Sequence, residues 1–203
     1  MTLAPADQES RGRVKWAPGA AGWMWVCLLV PASIYLLFAR EPAPRWRAAY
    51  FSNPDLGGAP LVREERDVHH DWRDGAPADG LPSDEFSARW DSCLALDVAQ
   101  SVAFQLTSDD GARLWIDGRA VLEDWEGRGR RTRGTEVSLD EGVHHLRVEY
   151  TELSGLASVA LAASFDGTRP ARIAPERLSF PEVNAQRPCP SGRAPVSHPP
   201  AAQ

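Results

Sequence analysis

The clearest pattern in the chain is an alternation of apolar and polar positions with a period of two. From Ser101 to Ser108, Val102, Phe104 and Leu106 alternate with Ala103, Gln105 and Thr107, as in a strand that buries one face of a sheet. The same phase returns at Leu114 and Ile116, at Leu146, Val148 and Tyr150, and at Val159, Leu161, Ala163 and Phe165. Between these runs lie Asp110-Gly111, Asp117-Gly118, Glu141-Gly142 and Asp166-Gly167. Such dipeptides favour tight turns, because Gly adopts a positive φ without steric cost. Several short strands with these turns, and no long amphipathic helix after Ala39, predict an antiparallel β-sandwich. Trp90 is in phase with Phe86 and Ala88 and is expected in its core. Trp115 is out of phase with Leu114 and Ile116, so it is expected on the opposite face and is the best candidate for an outward stacking surface.

A second pattern precedes the strands. Residues 17–39 hold 23 positions without a charge, enough for a transmembrane helix, which needs about 20 apolar residues. Trp16, Trp23, Trp25 and Tyr35 lie toward its ends, where amphipathic rings favour the headgroup level, and Pro31 should kink it. Arg11, Arg13 and Lys15 before the run balance Arg40, Arg45 and Arg47 after it, so charge alone does not orient the span. A single span ahead of a long folded domain is expected to act as a signal anchor; a cleaved signal peptide ending near Ala39 is the alternative. Both place the rest of the chain outside the cytoplasm. The organisation read from the sequence is therefore a cytoplasmic segment at 1–16, the anchor in the lipid bilayer at 17–39 and a linker at 40–44. The sandwich follows at 45–180, and a Pro-rich tail expected to be disordered at 181–203.

Composition narrows the chemistry. The 203 residues carry a formal charge of −6, which argues against a general nucleic-acid binder. Cys27, Cys93 and Cys189 have no C-x-x-C spacing, so a structural zinc site is not expected. Export would permit a Cys93–Cys189 disulfide, since Cys27 lies in the membrane segment. Arg128, Arg130, Arg131 and Arg133, interleaved with Gly127, Gly129 and Gly134, form a basic patch able to pair with anions, although a mobile solvated loop is the plainer reading. His69-His70 and His144-His145 are strand neighbours that face opposite ways, so neither pair converges on a metal. No arrangement of nucleophile and base stands out, and the chain is not expected to be an enzyme.

The segments WRAAYFSNPDLGGAPLV (46–62), DWRDGAPADGLPSDEFSARW (71–90), FQLTSDDGARLWIDGRAVLEDW (104–125) and GVHHLRVEYTELSGLASVAL (142–161), in this order, resemble the PA-fourteen domain. That is the β-sandwich module named after the anthrax toxin protective antigen, and the resemblance spans about 45–180. It implies an extracytoplasmic carbohydrate-binding or adhesion module. In the lectin-type branch an adjacent Asp pair, joined by a cis peptide, binds a calcium ion that also ligates sugar hydroxyls. The resemblance places that pair at Asp109 and Asp110, and hard oxygen ligands suit calcium. Glu152, in the following loop from Tyr150 to Leu156, matches the pattern as a further ligand, whereas Leu153 stands where an Asn is common and brings no oxygen. The plain alternatives are a Ser-Asp-Asp-Gly hairpin turn and a solvated Glu152. The function implied is a membrane-anchored module that recognises cell-surface, cell-wall or matrix glycan, with Asp109, Asp110, Glu152 and Trp115 as binding residues. A structural or protein-interaction module of an envelope complex is the rival.

Overall fold

The structure is a computed structural model that describes residues 43–182 and 188–189. The predicted anchor at 17–39 lies outside the described residues, and among them no helix is long and apolar enough to cross a membrane. Eleven strands run in order β1 (Trp46–Phe51), β2 (Leu61–Glu65), β3 (His69–Arg73), β4 (Phe86–Leu96), β5 (Gln100–Asp109), β6 (Gly111–Ile116), β7 (Arg119–Asp124), β8 (Arg131–Leu139), β9 (Gly142–Glu152), β10 (Ala157–Ser164) and β11 (Leu178–Ser179). A seven-stranded sheet has the order β2-β1-β4-β9-β6-β7, with β11 also beside β4, and a four-stranded sheet has the order β3-β10-β5-β8. Every pairing is antiparallel.

The core lies between the two sheets and is built from the predicted alternation. Trp90, Ala88, Leu114, Leu146, Val148 and Tyr150 are fully buried, and Val102, Phe104, Leu106, Val159 and Leu161 meet them from the smaller sheet. Trp90 is thus in the core as its phase required, with its indole N–H donating to Glu65 Oε2 at 2.6 Å.

The turn signals divide. Asp117 and Gly118 both have positive φ, 51° and 79°, and close β6 onto β7 with Ile116 opposite Arg119, a two-residue hairpin of the expected kind. Asp110-Gly111 does not make the hairpin its composition allowed. It joins β5 in one sheet to β6 in the other, across a cis peptide between Asp109 and Asp110. Glu141-Gly142 likewise carries the chain from β8 to β9 in the opposite sheet.

The disulfide is present: Cys93 and Cys189 are bonded with Cα atoms 5.6 Å apart. It joins β4 to the segment after β11, and Glu182 N–H donates to the Pro188 carbonyl beside it. The start of the Pro-rich tail is therefore held against the sandwich.

Candidate functional site

Sheet pleating fixes which side chains converge at one end of the sandwich. On β5 the inward positions run Val102, Phe104, Leu106, Ser108 and then Asp110; on β9 they run Leu146, Val148, Tyr150 and Glu152. The interior phase continues while its chemistry changes from apolar to acidic. Ser108, Asp110 and Glu152 remain 4%, 4% and 0% exposed. The expectation of a solvated Glu152 is thereby corrected: it is the last residue of β9 rather than part of a loop, and period-two alternation turns it toward the core.

Asp110 acts as a clasp. Its Oδ1 accepts the Gly129 N–H at 2.9 Å and its Oδ2 accepts the Leu153 N–H at 3.1 Å, so one carboxylate fastens the loop after β7 to the loop after β9. Its own carbonyl accepts from Ser108 Oγ at 2.9 Å. Gly111 permits this closeness, because a Cβ there would lie 2.1 Å from the Trp125 carbonyl oxygen. Any other residue would push the 125–130 loop away from the crossover.

Glu152 is less well provided. Its Oε2 is 2.6 Å from Tyr150 Oη, while Oε1 is buried without a hydrogen-bond partner. Burial, then the nearby charges of Asp110, Asp109 and Asp84, push its carboxyl up to about 7 against the Tyr150 hydrogen bond. Tyr150 Oη also contacts the Asp109 carbonyl. A phenol has one proton, so both contacts are satisfied together when Glu152 is protonated and donates to Tyr150. Asp109 is half-buried, and burial followed by Asp110 raises its carboxyl while Arg130 opposes the rise.

Among the described residues no three His, Cys, Asp or Glu side chains are grouped so as to hold a metal ion. Each Asp110 carboxylate oxygen accepts one backbone amide, Glu152 points into the core, and Leu153 offers no side-chain oxygen. The cis Asp109–Asp110 peptide expected from the resemblance is present.

Trp115 is not brought to this end. It lies on the outward face of β6, four residues and roughly 13 Å along the strand from Gly111. There its indole N–H donates to Glu149 Oε2 at 3.2 Å, and the Arg113 guanidinium sits 5.6 Å from its ring centre. The arginine patch also resolves into two parts. Arg131 and Arg133 belong to edge strand β8 and share Asp124, at 3.5 and 3.2 Å, while Arg128 and Arg130 stay on the loop clasped by Asp110. The signal that sequence reading missed was the phase itself: Asp110 and Glu152 extend two core stripes, which marks them as buried.

A family model described as PA14 domain matches residues 46–175. Among curated proteins, the anti-sigma-I factor RsgI3 of Acetivibrio thermocellus is 27% identical over 116 residues, 57% of this chain and 18% of that one. Among solved structures, an anti-sigma factor domain-containing protein from Clostridium clariflavum aligns with a TM-score of 0.62 at 25% identity, over 70% of this chain and 49% of the other. A PA14 sugar-binding domain from an RTX adhesin aligns with a TM-score of 0.57 at 18% identity, over 68% of this chain and 98% of that one; this shows a shared fold. The chain spans less than half the length of the anti-sigma relatives it matches. With most of the sandwich covered by the family match, and with the strand order and crossover described above, this chain belongs to the PA14 domain family.

Proposed function

We propose that this protein is a carbohydrate-binding module displayed outside the cytoplasm and tethered to the bilayer through residues 17–39, where it recognises cell-surface, cell-wall or matrix glycan. The observation that carries this is the conversion of two core stripes into carboxylates at one end of the sandwich, with Asp109 beside them. Asp109 is available to accept from sugar hydroxyls, while Asp110 and Glu152 organise the loops around it. Placing the site there follows the rule that binding groups sit on loops positioned by a rigid scaffold. The fold shared with the adhesin's sugar-binding domain supports the reading.

A second reading is a structural or protein-interaction module of an envelope complex. Likeness to anti-sigma factor proteins favours it, since in those proteins the matched part is a fraction of a longer chain. The deciding experiment is a glycan array probed with the full chain in detergent, with calcium and with chelator. Retention of a glycan, abolished by Asp109→Ala with the melting temperature unchanged, is the expected result. Loss of retention in chelator would assign calcium to the site. An array without retained glycans, or an Asp109→Ala variant that binds as wild type, would overturn the carbohydrate reading in favour of the second.

A further inference from the structure

The four arginines between Gly127 and Gly134 have different electrostatic situations. Arg131 and Arg133 share one carboxylate, Asp124. Arg128 and Arg130 are exposed and have no carboxylate at ion-pair distance among the described residues. Their loop is nevertheless built into the structure. Gly127 N–H donates to the Asp124 carbonyl at 3.1 Å, and Gly127 is buried so tightly that a Cβ would lie 2.9 Å from that oxygen. Gly129, at φ 69°, gives its N–H to Asp110. Arg128 Nη1 donates to the Gly127 carbonyl at 2.7 Å and Arg130 Nη1 to Ser158 Oγ at 3.0 Å. Each guanidinium thus spends one donor on holding its position and keeps the others.

Fixed guanidiniums of this kind present planar forks that match carboxylate and sulfate oxygens. Arg130 is bonded to Ser158, the residue opposite Asp109 across β10 and β5, and Gly129, between the two arginines, is bonded to Asp110, so acceptor and donors stand at the same end of the domain. A neutral sugar would use the acceptor and leave the arginines idle. A sugar that bears both hydroxyls and an acid group would use both.

Resting on the glycan reading above, we propose that this site takes an acidic polysaccharide, whose hydroxyls donate to Asp109 while its carboxylate or sulfate groups are held by Arg128 and Arg130. The contact is charge-assisted and surface-exposed, so it weakens as salt rises.

Two pairs of immobilised probes test this with the full chain in detergent: alginate against its propylene glycol ester, and dextran sulfate against dextran. Each pair keeps the backbone and removes the acid group. The expected result is retention on the acidic member of at least one pair, with about a tenfold loss in an Arg128→Gln/Arg130→Gln variant, the scale of a charge-assisted hydrogen bond. Preference for alginate assigns carboxylate and preference for dextran sulfate assigns sulfate. Arg169→Gln, an exposed arginine on another loop, should bind as wild type. Equal retention of acidic and neutral probes, equal loss in Arg169→Gln, or an unaffected double variant would overturn the proposal. If a neutral glycan binds through Asp109 and no acidic one does, only this proposal falls; if no glycan of either kind binds, the function falls with it.

Discussion

Glu149 and Glu152 stand three residues apart on β9, and both are buried, at 4% and 0% exposure. Their spacing puts them on opposite faces of the sheet. Glu149, on the outer face, accepts from Arg89 Nε at 3.0 Å, Arg113 Nε at 2.9 Å and Trp115 Nε1 at 3.2 Å. Arg113 in turn lies 4.1 Å over the Trp125 ring. Glu152, on the inner face, has the Tyr150 phenol on one oxygen, nothing on the other, and aspartates for neighbours. One carboxylate therefore accepts three N–H donors and the other has a single hydroxyl partner. A fully paired buried charge holds strands together, whereas carboxyls gathered beside one another are pushed toward the neutral form.

The largest effect should come from breaking the satisfied side. Glu149→Ala leaves two part-buried guanidiniums and an indole N–H without their acceptor, and should cost about 3–4 kcal/mol in urea unfolding, as for other broken buried ion pairs. A cost below about 1 kcal/mol would show the network to be a screened surface cluster and would erase the contrast.

A smaller, pH-dependent effect should come from the unsatisfied side. Glu152 ionises near 4.5 when unfolded and at about 7 when folded. Between those values the folded state holds the extra proton, so this group's contribution is fully present below about pH 4.5 and is lost as pH rises through about 7. Glu152→Gln cannot ionise and keeps the donor to Tyr150. It should match wild type in acid and exceed it by about 2 kcal/mol near pH 8. Denaturation midpoints measured across that range check it, and a pH-independent difference would mean that Glu152 is ionised in the fold.

The smallest effect concerns Trp115. Trp115→Phe removes one donor from Glu149 and should cost about 1 kcal/mol, while leaving glycan retention unchanged. Loss of binding with stability intact would move the sugar site to the outer face of the larger sheet and restore the stacking role that its phase first suggested.

Strand positions and the buried stripes were legible because a period of two is a local property: each side chain's face follows from its neighbours'. Trp90 in the core and Trp115 outside it both followed from that rule. The same rule, carried one step further along the chain, would have placed Asp110 and Glu152 inside. Local chemistry points the other way at both positions: Asp110 precedes a glycine, and Glu152 is charged and stands two residues before Ser154-Gly155 turns off the end of β9, so each reads as exposed. The cysteine pairing was open for the opposite reason, as bridging requires a distance between residues 96 positions apart, which no local pattern contains.

What the amino-acid sequence determined by itself was the β-sandwich, its core-facing residues, the Asp117-Gly118 hairpin and the family. All of these rest on periodicity, turn preference or residue order. What the tertiary structure decided was that Ser-Asp-Asp-Gly crosses between sheets, that Asp110 clasps two loops, and that Arg131 and Arg133 share Asp124 while Arg128 and Arg130 have no carboxylate at ion-pair distance among the described residues. It also set Glu149 among arginines and Glu152 among aspartates. The physical reason is that a charge acquires its meaning from partners brought near by folding, and Coulomb and hydrogen-bond energies depend on separations in space that sequence spacing does not encode.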